Sequence, residues 1–415
     1  MPRNVILSGA KNPGAKARSF AALRMTGAGV PCLAVCRRSL LHVLSSLFSK
    51  ESTLGIDIGS SCIKAAEVVP TARGWELAGA AVAPCPRETV KDGVVTDVHE
   101  VAAAIRAMLR DAGIRATGAI CGISGSQVIV RQVQFPKMPE TALRKSIRYE
   151  ASKYVSSSME DSVVEFEIIG DAEEPGQMNV WLVASPREMI DSRVNALEEA
   201  GLEPLVIDVE AFALIRSVVE LSSSDRYLRE TVALVDMGAS HTDVNVVSRG
   251  EFALTRNIPI AGDSFTNAIK NLTGSSFEES EQMKLEMASA CPLDQLSSAQ
   301  SDNRNWKVVQ PLIDEMIREI RRSINFYHSQ FPEGNTDAFV GKVIVTGGAA
   351  RMPGMDAYMS AKLSIPTEIA GVFNESAISI GRVPATFIER HGPVLAVGTG
   401  LALKELIADV RQKAA

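Results

Sequence analysis

The sequence predicts an α/β protein of two lobes, each a mixed sheet with flanking helices, with a small α+β unit inserted in the first. Three stretches make that prediction. Leu54-Gly55-Ile56-Asp57-Ile58-Gly59-Ser60-Ser61-Cys62-Ile63-Lys64 and Val232-Ala233-Leu234-Val235-Asp236-Met237-Gly238-Ala239-Ser240-His241-Thr242-Asp243-Val244 share one plan: apolar strand, Asp-x-Gly, small hydroxyl residues, second β-rich run. Each reads as a hairpin whose turn presents an acidic group and open backbone N–H groups. The third stretch, 343–354, ends a β-branched strand in Gly347-Gly348-Ala349. Paired hairpins suggest duplication of one unit, structural rather than literal.

The elements follow in order. Residues 53–58, 62–69 and 75–84 are β-rich and read as strands. A helix is expected at about 97–112, with Asp97 as N-cap and Gly113 as stop, then a strand from Ala119 to Ser124. Ser126 to Gln134 is strongly β-branched, and Phe135-Pro136-Lys137-Met138-Pro139 breaks it. Between Glu140 and Val155, Leu143, Ile147, Ala151 and Tyr154 recur at helical steps, with Arg144, Lys145, Arg148 and Lys153 elsewhere. Strands at 163–169 and 179–185 flank an acidic turn, and a helix at 187–200 ends at Gly201. A strand at 205–209 and a helix at 211–221 close the first half. The second half opens at Thr231 with a β meander to about 260, then helices from Asp263 and a polar loop at 296–305. A long helix at 308–330, carrying Leu312, Ile313, Met316, Ile320 and Ile324, leads through a turn region to a strand at 339–346. Strands alternating with helices give layered sheets with helices on their faces.

A chain of 415 residues has room for two to four structural units. Its 46% hydrophobic and 22% charged content is ordinary for globular proteins. Net charge is −6, which argues against general nucleic-acid binding. Residues 1–50 are the exception, with eight Lys/Arg and no Asp/Glu. They read as a disordered extension or as sequence upstream of a misassigned start, the functional alternative being a basic membrane-surface helix at Arg37–Phe48. Six scattered cysteines lack zinc-ligand spacing and fit a reducing compartment. No run of 18 uncharged apolar residues predicts a transmembrane segment. The five histidines form no cluster, and His241 reads as an incidental polar contact. Neither a Gly-x-Ser-x-Gly elbow nor a Walker-type loop is present.

A polyphosphate needs many donors and a counter-ion. Turns containing Gly59 and Gly238 let backbone N–H groups approach the oxygens closely. Ser60, Ser61, Ser240 and Thr242 add hydroxyls, and Lys64 adds a point charge from the returning strand. Asp57 and Asp236 repel phosphate, and so make sense as outer-shell holders of Mg²⁺. A single Asp-x-Gly turn is ordinary hairpin chemistry; two of them with Gly347-Gly348 point to one clamp. Glu210 ends a strand before a helix, where a carboxylate either orients an attacking water or simply answers the helix dipole. Glu281 and Lys284, three apart on a helix, either flank a base and ribose or form a solvated ion pair.

At these motifs the chain resembles the actin-like ATPase superfamily. Asp57 and Lys64 match its first phosphate motif, Asp236-x-Gly238 its second, and Gly347-Gly348-Ala349 its adenosine motif. The resemblance implies that Glu210 is the water-orienting residue and that Glu281 and Lys284 lie on the base-and-ribose helix. More closely, the chain is similar to the PilM family of cytoplasmic actin-like proteins of type IV pilus assembly, relatives of FtsA. Ser52 to Ser60, Met138-Pro139-Glu140 with Ile147-Arg148-Tyr149-Glu150-Ala151, Asp208-Val209-Glu210-Ala211 and Asp236 to Ala239 carry that likeness. Residues 1–50 are extra to the family pattern, and Val155-Ser156-Ser157-Ser158 follows Tyr154 where Ile-Pro-Phe is usual.

The resemblance implies an actin-like ATPase fold with a 1C-type insertion. Subdomain 1A is expected at 51–124, 206–230 and 386–415, and 1C at 125–205. Subdomain 2A is expected at 231–262 and 339–385, and 2B at 263–338. It also implies ATP and Mg²⁺ as cofactors and at most slow ATPase activity. The implied partner is the N-terminal cytoplasmic peptide of a PilN-like membrane protein, with other pilus components beyond it, which places the chain at the inner membrane through that partner. A homo-oligomer is compatible with it. The rival readings are an FtsA-like filament-forming protein and a sugar or small-molecule kinase, for which Glu210 or Asp208 is the candidate carboxylate.

Overall fold

Two sheets with the same winding form the two lobes. The structure, a computed structural model, describes residues 52–414 apart from 73, 156–157, 223–225, 291–294, 296–302, 333–337 and 375–376. The basic extension at 1–50, including the surface-helix alternative at Arg37–Phe48, lies outside the described residues.

In the first lobe β1 (Thr53–Ile58), β2 (Cys62–Thr71) and β3 (Gly74–Pro84) make an antiparallel meander. A short ribbon, β4 (Val90–Lys91) with β5 (Val94–Val95), leads to α1 (Val98–Asp111) and to β6 (Gly118–Ile123), which is parallel to β1. Asp97 caps α1 by accepting the Glu100 amide at 3.0 Å, and Gly113 turns the chain away at φ 69°.

The chain then leaves the lobe for β7 (Ile129–Pro136), α2 (Glu140–Ala151), β8 (Ser162–Asp171) and β9 (Gln177–Pro186). These strands form their own antiparallel sheet in the order β7-β9-β8. Leu143, Ile147 and Ala151 turn one face of α2 onto Phe135, Phe166 and Leu182, giving the insertion a separate apolar core. The helix stops at Ala151, four residues before the expected end; turns follow it. Helix α3 (Arg187–Glu199) begins where β9 ends and returns to the first sheet, where β10 (Glu203–Val209) lies parallel to β6. The helix expected at 211–221 is α4 (Glu210–Ile215) followed by a π-helical turn over Arg216–Glu220. Arg216, which opens that turn, is buried; its guanidinium donates to Gly400 O at 2.8 Å and to Asp208.

After α5 (Arg226–Arg229) the second lobe repeats the pattern. Strands β11 (Thr231–Met237), β12 (Thr242–Ser248) and β13 (Glu251–Ile258) form the meander, and helices α6 (Gly262–Thr273), α7 (Phe277–Ala290) and α8 (Arg304–His328) follow. Asn303 caps α8, accepting the Asn305 and Trp306 amides at 3.1 Å, so the helix starts one turn before the expected Val308. Then come β14 (Val340–Thr346), parallel to β11, α9 (Met355–Leu363), β15 (Thr367–Ile369), β16 (Ile378–Ile380), α10 (Ala385–His391) and α11 (Ala396–Ala414). Strand order is β16-β3-β2-β1-β6-β10 in one sheet and β13-β12-β11-β14-β15 in the other. Apart from β16, the two sheets share one topology: a meander, then two strands parallel to its first.

Helix α11 fastens the first lobe. A Cβ on Gly400 would stand 1.8 Å from Ala213 O, and one on Gly55 would stand 2.0 Å from Gly398 O. Only bare backbone permits so close a crossing of α11 over α4 and β1. Beneath it Asp208, fully buried, accepts Lys404 Nζ at 2.8 Å beside Arg216.

Candidate functional site

The two hairpins present their acidic residues in matched geometry. Asp57 is paired in register with Lys64 across β1 and β2, and Asp236 with Asp243 across β11 and β12. Each turn is closed by the same bond at 3.1 Å, Gly59 N–H to Cys62 O and Gly238 N–H to His241 O. Both turns stand at the carboxyl end of the strand on which the parallel strands of their sheet are built. The two lobes face each other there across a cleft of about 450 Å³, lined by both aspartates.

Lys64 Nζ lies 3.1 Å from Asp57 Oδ2. Burial disfavours its ammonium, but the charges of Asp57 and Asp236 and the bond to Asp57 outweigh that and raise its pKa above the ordinary lysine range. Asp236 has no such partner among the described residues; burial and the charges of Asp57 and Asp243 raise its carboxyl to about 6 despite Lys64. Gly347 packs directly on it: at φ 89°, a Cβ there would stand 2.4 Å from Asp236 Oδ1, while the Thr346 hydroxyl donates to that oxygen at 3.3 Å. The turn after β14 is thereby locked to the end of β11.

Most of the expected residues meet in this cleft. Gly59, Ser60, Ser61, Gly238, Ser240, Gly347, Gly348 and Ala349 line it, as do Glu210, Glu281 and Lys284. Thr242 does not. It is fully buried, and its hydroxyl donates to Ile260 O at 2.8 Å within the second lobe. Side chains alternate along β12, so with Asp243 on the cleft face Thr242 must face the core. Lys284 is buried and bonded to Glu281 at 2.7 Å, to Gly262 O at 3.2 Å and to Thr266 Oγ1 at 3.0 Å. Of the two readings of this pair, the solvated one does not hold for Lys284, which sits in a built corner between α6 and α7. Asp208, the alternative kinase carboxylate, is enclosed by Arg216 and Lys404 and does not reach the cleft.

A polar chain crosses the cleft floor, and sequence reasoning missed most of it. Ser124 Oγ donates to Glu210 Oε2 at 2.7 Å and lies 3.2 Å from His241 Nε2; Asp243 Oδ2 is also 3.2 Å from that nitrogen. Asn257 holds the other oxygen of Asp243 at 2.9 Å. Burial opposes the imidazolium, but the bond and charge of Asp243, with Glu210 and Asp236, raise His241 to about 9. Burial, then the charge of Asp57, pushes Glu210 up to about 7 against the Ser124 bond. The one signal in sequence is offset: His241 stands in the second hairpin where Cys62 stands in the first.

These residues fit a metal-bound nucleotide. The turns that follow Gly59 and Gly238, the unobstructed backbone at Gly348, and Lys64 suit a polyphosphate. Two carboxylates from opposite lobes suit a hard cation that keeps most of its waters. No group of three or more metal-ligating side chains is found among the described residues, so such a cation depends on the ligand's own oxygens. Among the described residues no helix is long and apolar enough to cross a membrane.

The family model described as "Type IV pilus assembly protein PilM" matches residues 55–406. Cell division protein FtsA of Pseudomonas aeruginosa is 27% identical over 379 residues, covering 79% of this chain and 86% of FtsA. FtsA of Streptococcus pneumoniae is 25% identical over 334 residues, covering 72% of this chain and 71% of FtsA. A solved chain of the PilM-PilN type IV pilus biogenesis complex superposes with a TM-score of 0.74 at 25% identity, covering 86% of this chain and 99% of that one. MreB5 of Spiroplasma citri bound to AMPPNP gives 0.50 at 13% identity, covering 88% and 100%, a likeness of fold. The fold is that of the actin-like ATPases.

Proposed function

The chain belongs to the type IV pilus assembly protein PilM family, and from that premise we propose that it is an ATP-binding adaptor of the pilus assembly complex. It docks on the N-terminal cytoplasmic tail of a PilN-like membrane protein and so lies at the inner-membrane surface. The observation that carries the nucleotide reading is the matched register of Asp57 and Asp236 on facing walls of one cleft. The partner reading is supported by the likeness to a chain of a PilM-PilN complex. In this frame the subdomains are 1A at 51–124, 206–230 and 386–415, 1C at 125–205, 2A at 231–262 and 339–385, and 2B at 263–338.

Mg²⁺-ATP supplies a polyanion and a divalent charge that both lobes can grip at once. Asp57 and Asp236 would hold the water shell of such a cation, and Lys64, anchored by Asp57, would neutralise phosphate charge. The turns at Gly59-Ser60-Ser61 and Gly238-Ala239-Ser240 donate backbone N–H groups. Gly348 and Ala349, in the turn that Gly347 packs onto Asp236, would give a nucleoside an open floor, and Glu281 and Lys284 would meet its ribose. Glu210, its Oε2 accepting the Ser124 hydroxyl, would orient a water and, where ionised, accept its proton, slowly because burial and the charge of Asp57 raise its carboxyl to about 7. A grip shared by both lobes stabilises the closed form, and only differential affinity for that form transmits the nucleotide state to a partner.

The test is calorimetric titration of the purified protein with Mg²⁺-ATP, followed by a synthetic PilN-like N-terminal peptide with and without nucleotide. Mg²⁺-dependent ATP binding and a nucleotide-dependent change in peptide affinity are expected; neither occurring refutes the adaptor. The length of the FtsA match favours one second reading, an FtsA-like filament, which ATP-dependent sedimentation of the protein detects.

A further inference from the structure

At the inner end of the cleft, beside Glu210, lies a cation that the reading above leaves unused. Arg193 of α3 is 2% exposed and heads the fully buried side chains in volume. Its Nε donates to Gly122 O at 2.7 Å, and its Nη1 donates to the carbonyls of Gly93 and, at 3.1 Å, Met189. Nη2 makes no hydrogen bond among the described residues and is not sealed from solvent, and Arg193 borders the cleft. No carboxylate pairs with it among the described residues. A guanidinium stays charged at any physiological pH, and burying one without an anion costs several kcal/mol. The three carbonyls offset part of that cost, and the open nitrogen leaves donor capacity facing the cleft.

The surroundings give that nitrogen a place in the machinery. Gly122, next to last in β6, lies directly under Glu210; a Cβ on Gly122 would stand 2.6 Å from Glu210 Cγ. Gly93 is the tip of the β4–β5 ribbon, and α3 begins where β9, the central strand of the insertion, ends. One guanidinium therefore ties together the cleft floor, the ribbon and the helix that leaves the insertion.

We propose that Arg193 Nη2 binds a phosphate oxyanion at the inner end of the cleft, either the terminal phosphoryl group of a bound nucleotide or inorganic phosphate after its release. The proposal rests on the nucleotide reading above and names a contact within it. The open N–H donors of the planar fork meet phosphate oxygens in charge-assisted bonds, which an ammonium at the same place cannot reproduce. Glu210, raised to about 7 by burial and by the charge of Asp57, carries only part of a negative charge near neutral pH and so repels an anion there less than an ordinary carboxylate. Through α3 the same contact couples occupancy to the insertion.

The test uses the whole chain and its Arg193→Lys variant, with Mg²⁺ and calorimetric titration by ADP, by AMPPNP, and by inorganic phosphate added to ADP-loaded protein. If the terminal phosphoryl group is the ligand, the variant loses about tenfold or more in AMPPNP affinity while ADP affinity holds. If released phosphate is the ligand, the AMPPNP-to-ADP ratio holds and phosphate binding to the ADP form is lost. An unchanged ratio with no loss of phosphate binding overturns the proposal, including when ADP and AMPPNP weaken together. Wild type that binds no nucleotide at all refutes the parent reading, a different result. Should the variant not fold, hydrogen–deuterium exchange on wild type decides. AMPPNP over ADP, or phosphate on the ADP form, must add protection at residues 90–95 and 187–199, and no added protection overturns the proposal.

Discussion

His241 of the second lobe stands 3.2 Å from Ser124 of the first, so one imidazole nitrogen ties the two walls of the cleft together. Asp243 lies against that same nitrogen and favours the cationic imidazole, while Glu210 accepts from the serine. The tie joins lobes whose sheets share no strand.

Loss of this tie should depend on pH. The His241 pKa is raised in the fold, to about 9, so its contribution is complete below about pH 6.5 and is lost as pH rises through about 9. His241→Gln should lower the melting temperature by about 2 °C at pH 7 and by much less at pH 10. Scanning calorimetry at the two pH values checks this; an equal decrement at both sinks the idea.

The two aspartates should part company in stability while agreeing in binding. Asp57 is the partner of a largely buried Lys64, so Asp57→Ala should cost roughly 2 kcal/mol by urea titration. Asp236 has a raised pKa, so its charged form costs stability above its unfolded value, increasingly as pH rises through about 6. Asp236→Asn should therefore be neutral or stabilising at pH 8. Both changes should weaken Mg²⁺-ATP binding tenfold or more, on the order of 1.4 kcal/mol. ATP affinity unchanged in both variants would end the clamp assignment.

Neighbouring glycines should answer differently to alanine. Gly347 has φ 89° and sits against Asp236, so Gly347→Ala should destabilise the protein by about 2 kcal/mol or more. Gly348 has helical backbone angles, and nothing lies within 4 Å of an added Cβ. Gly348→Ala should fold with wild-type stability yet bind nucleotide more weakly, because the methyl group enters the cleft. Denaturant titration beside ATP titration separates the two, and equal stability losses would contradict it.

Cys62 offers a chemical reporter. It is half-buried on the cleft wall, whereas Cys85 and Cys121 are buried and burial raises both thiols, Cys121 to about 12. Iodoacetamide should modify Cys62 at least about tenfold faster than either, as read by peptide mass spectrometry. Mg²⁺-ATP should slow that reaction; identical rates with and without nucleotide would place the ligand elsewhere.

Local chemistry was legible in the chain before any coordinates. Alternating apolar runs and Asp-x-Gly turns give β1–β2 and β11–β12, Asp97 and Gly113 bracket α1, and Gly347-Gly348 marks the turn after β14. Each of these signals lies within a few residues, because turn angles, caps and strand alternation are properties of neighbouring backbone. The ends of α2 and α4 were less legible. There tertiary packing overrides propensity: α4 gives way to a π-helical turn where Arg216 engages Asp208 and Gly400.

The sequence by itself determined the α/β class, the doubled hairpin and most of the residues that line the cleft. Tertiary structure alone decided which side of β12 looks into the cleft, and with it that His241 and Asp243 are in and Thr242 is out. It also brought Ser124 to His241 across 117 positions and left Arg193 buried with an open nitrogen at the cleft's end. The reason is physical. A turn is specified by its own dihedral preferences, whereas the composition of a cleft is set by how two separately wound sheets dock, and no short segment encodes that.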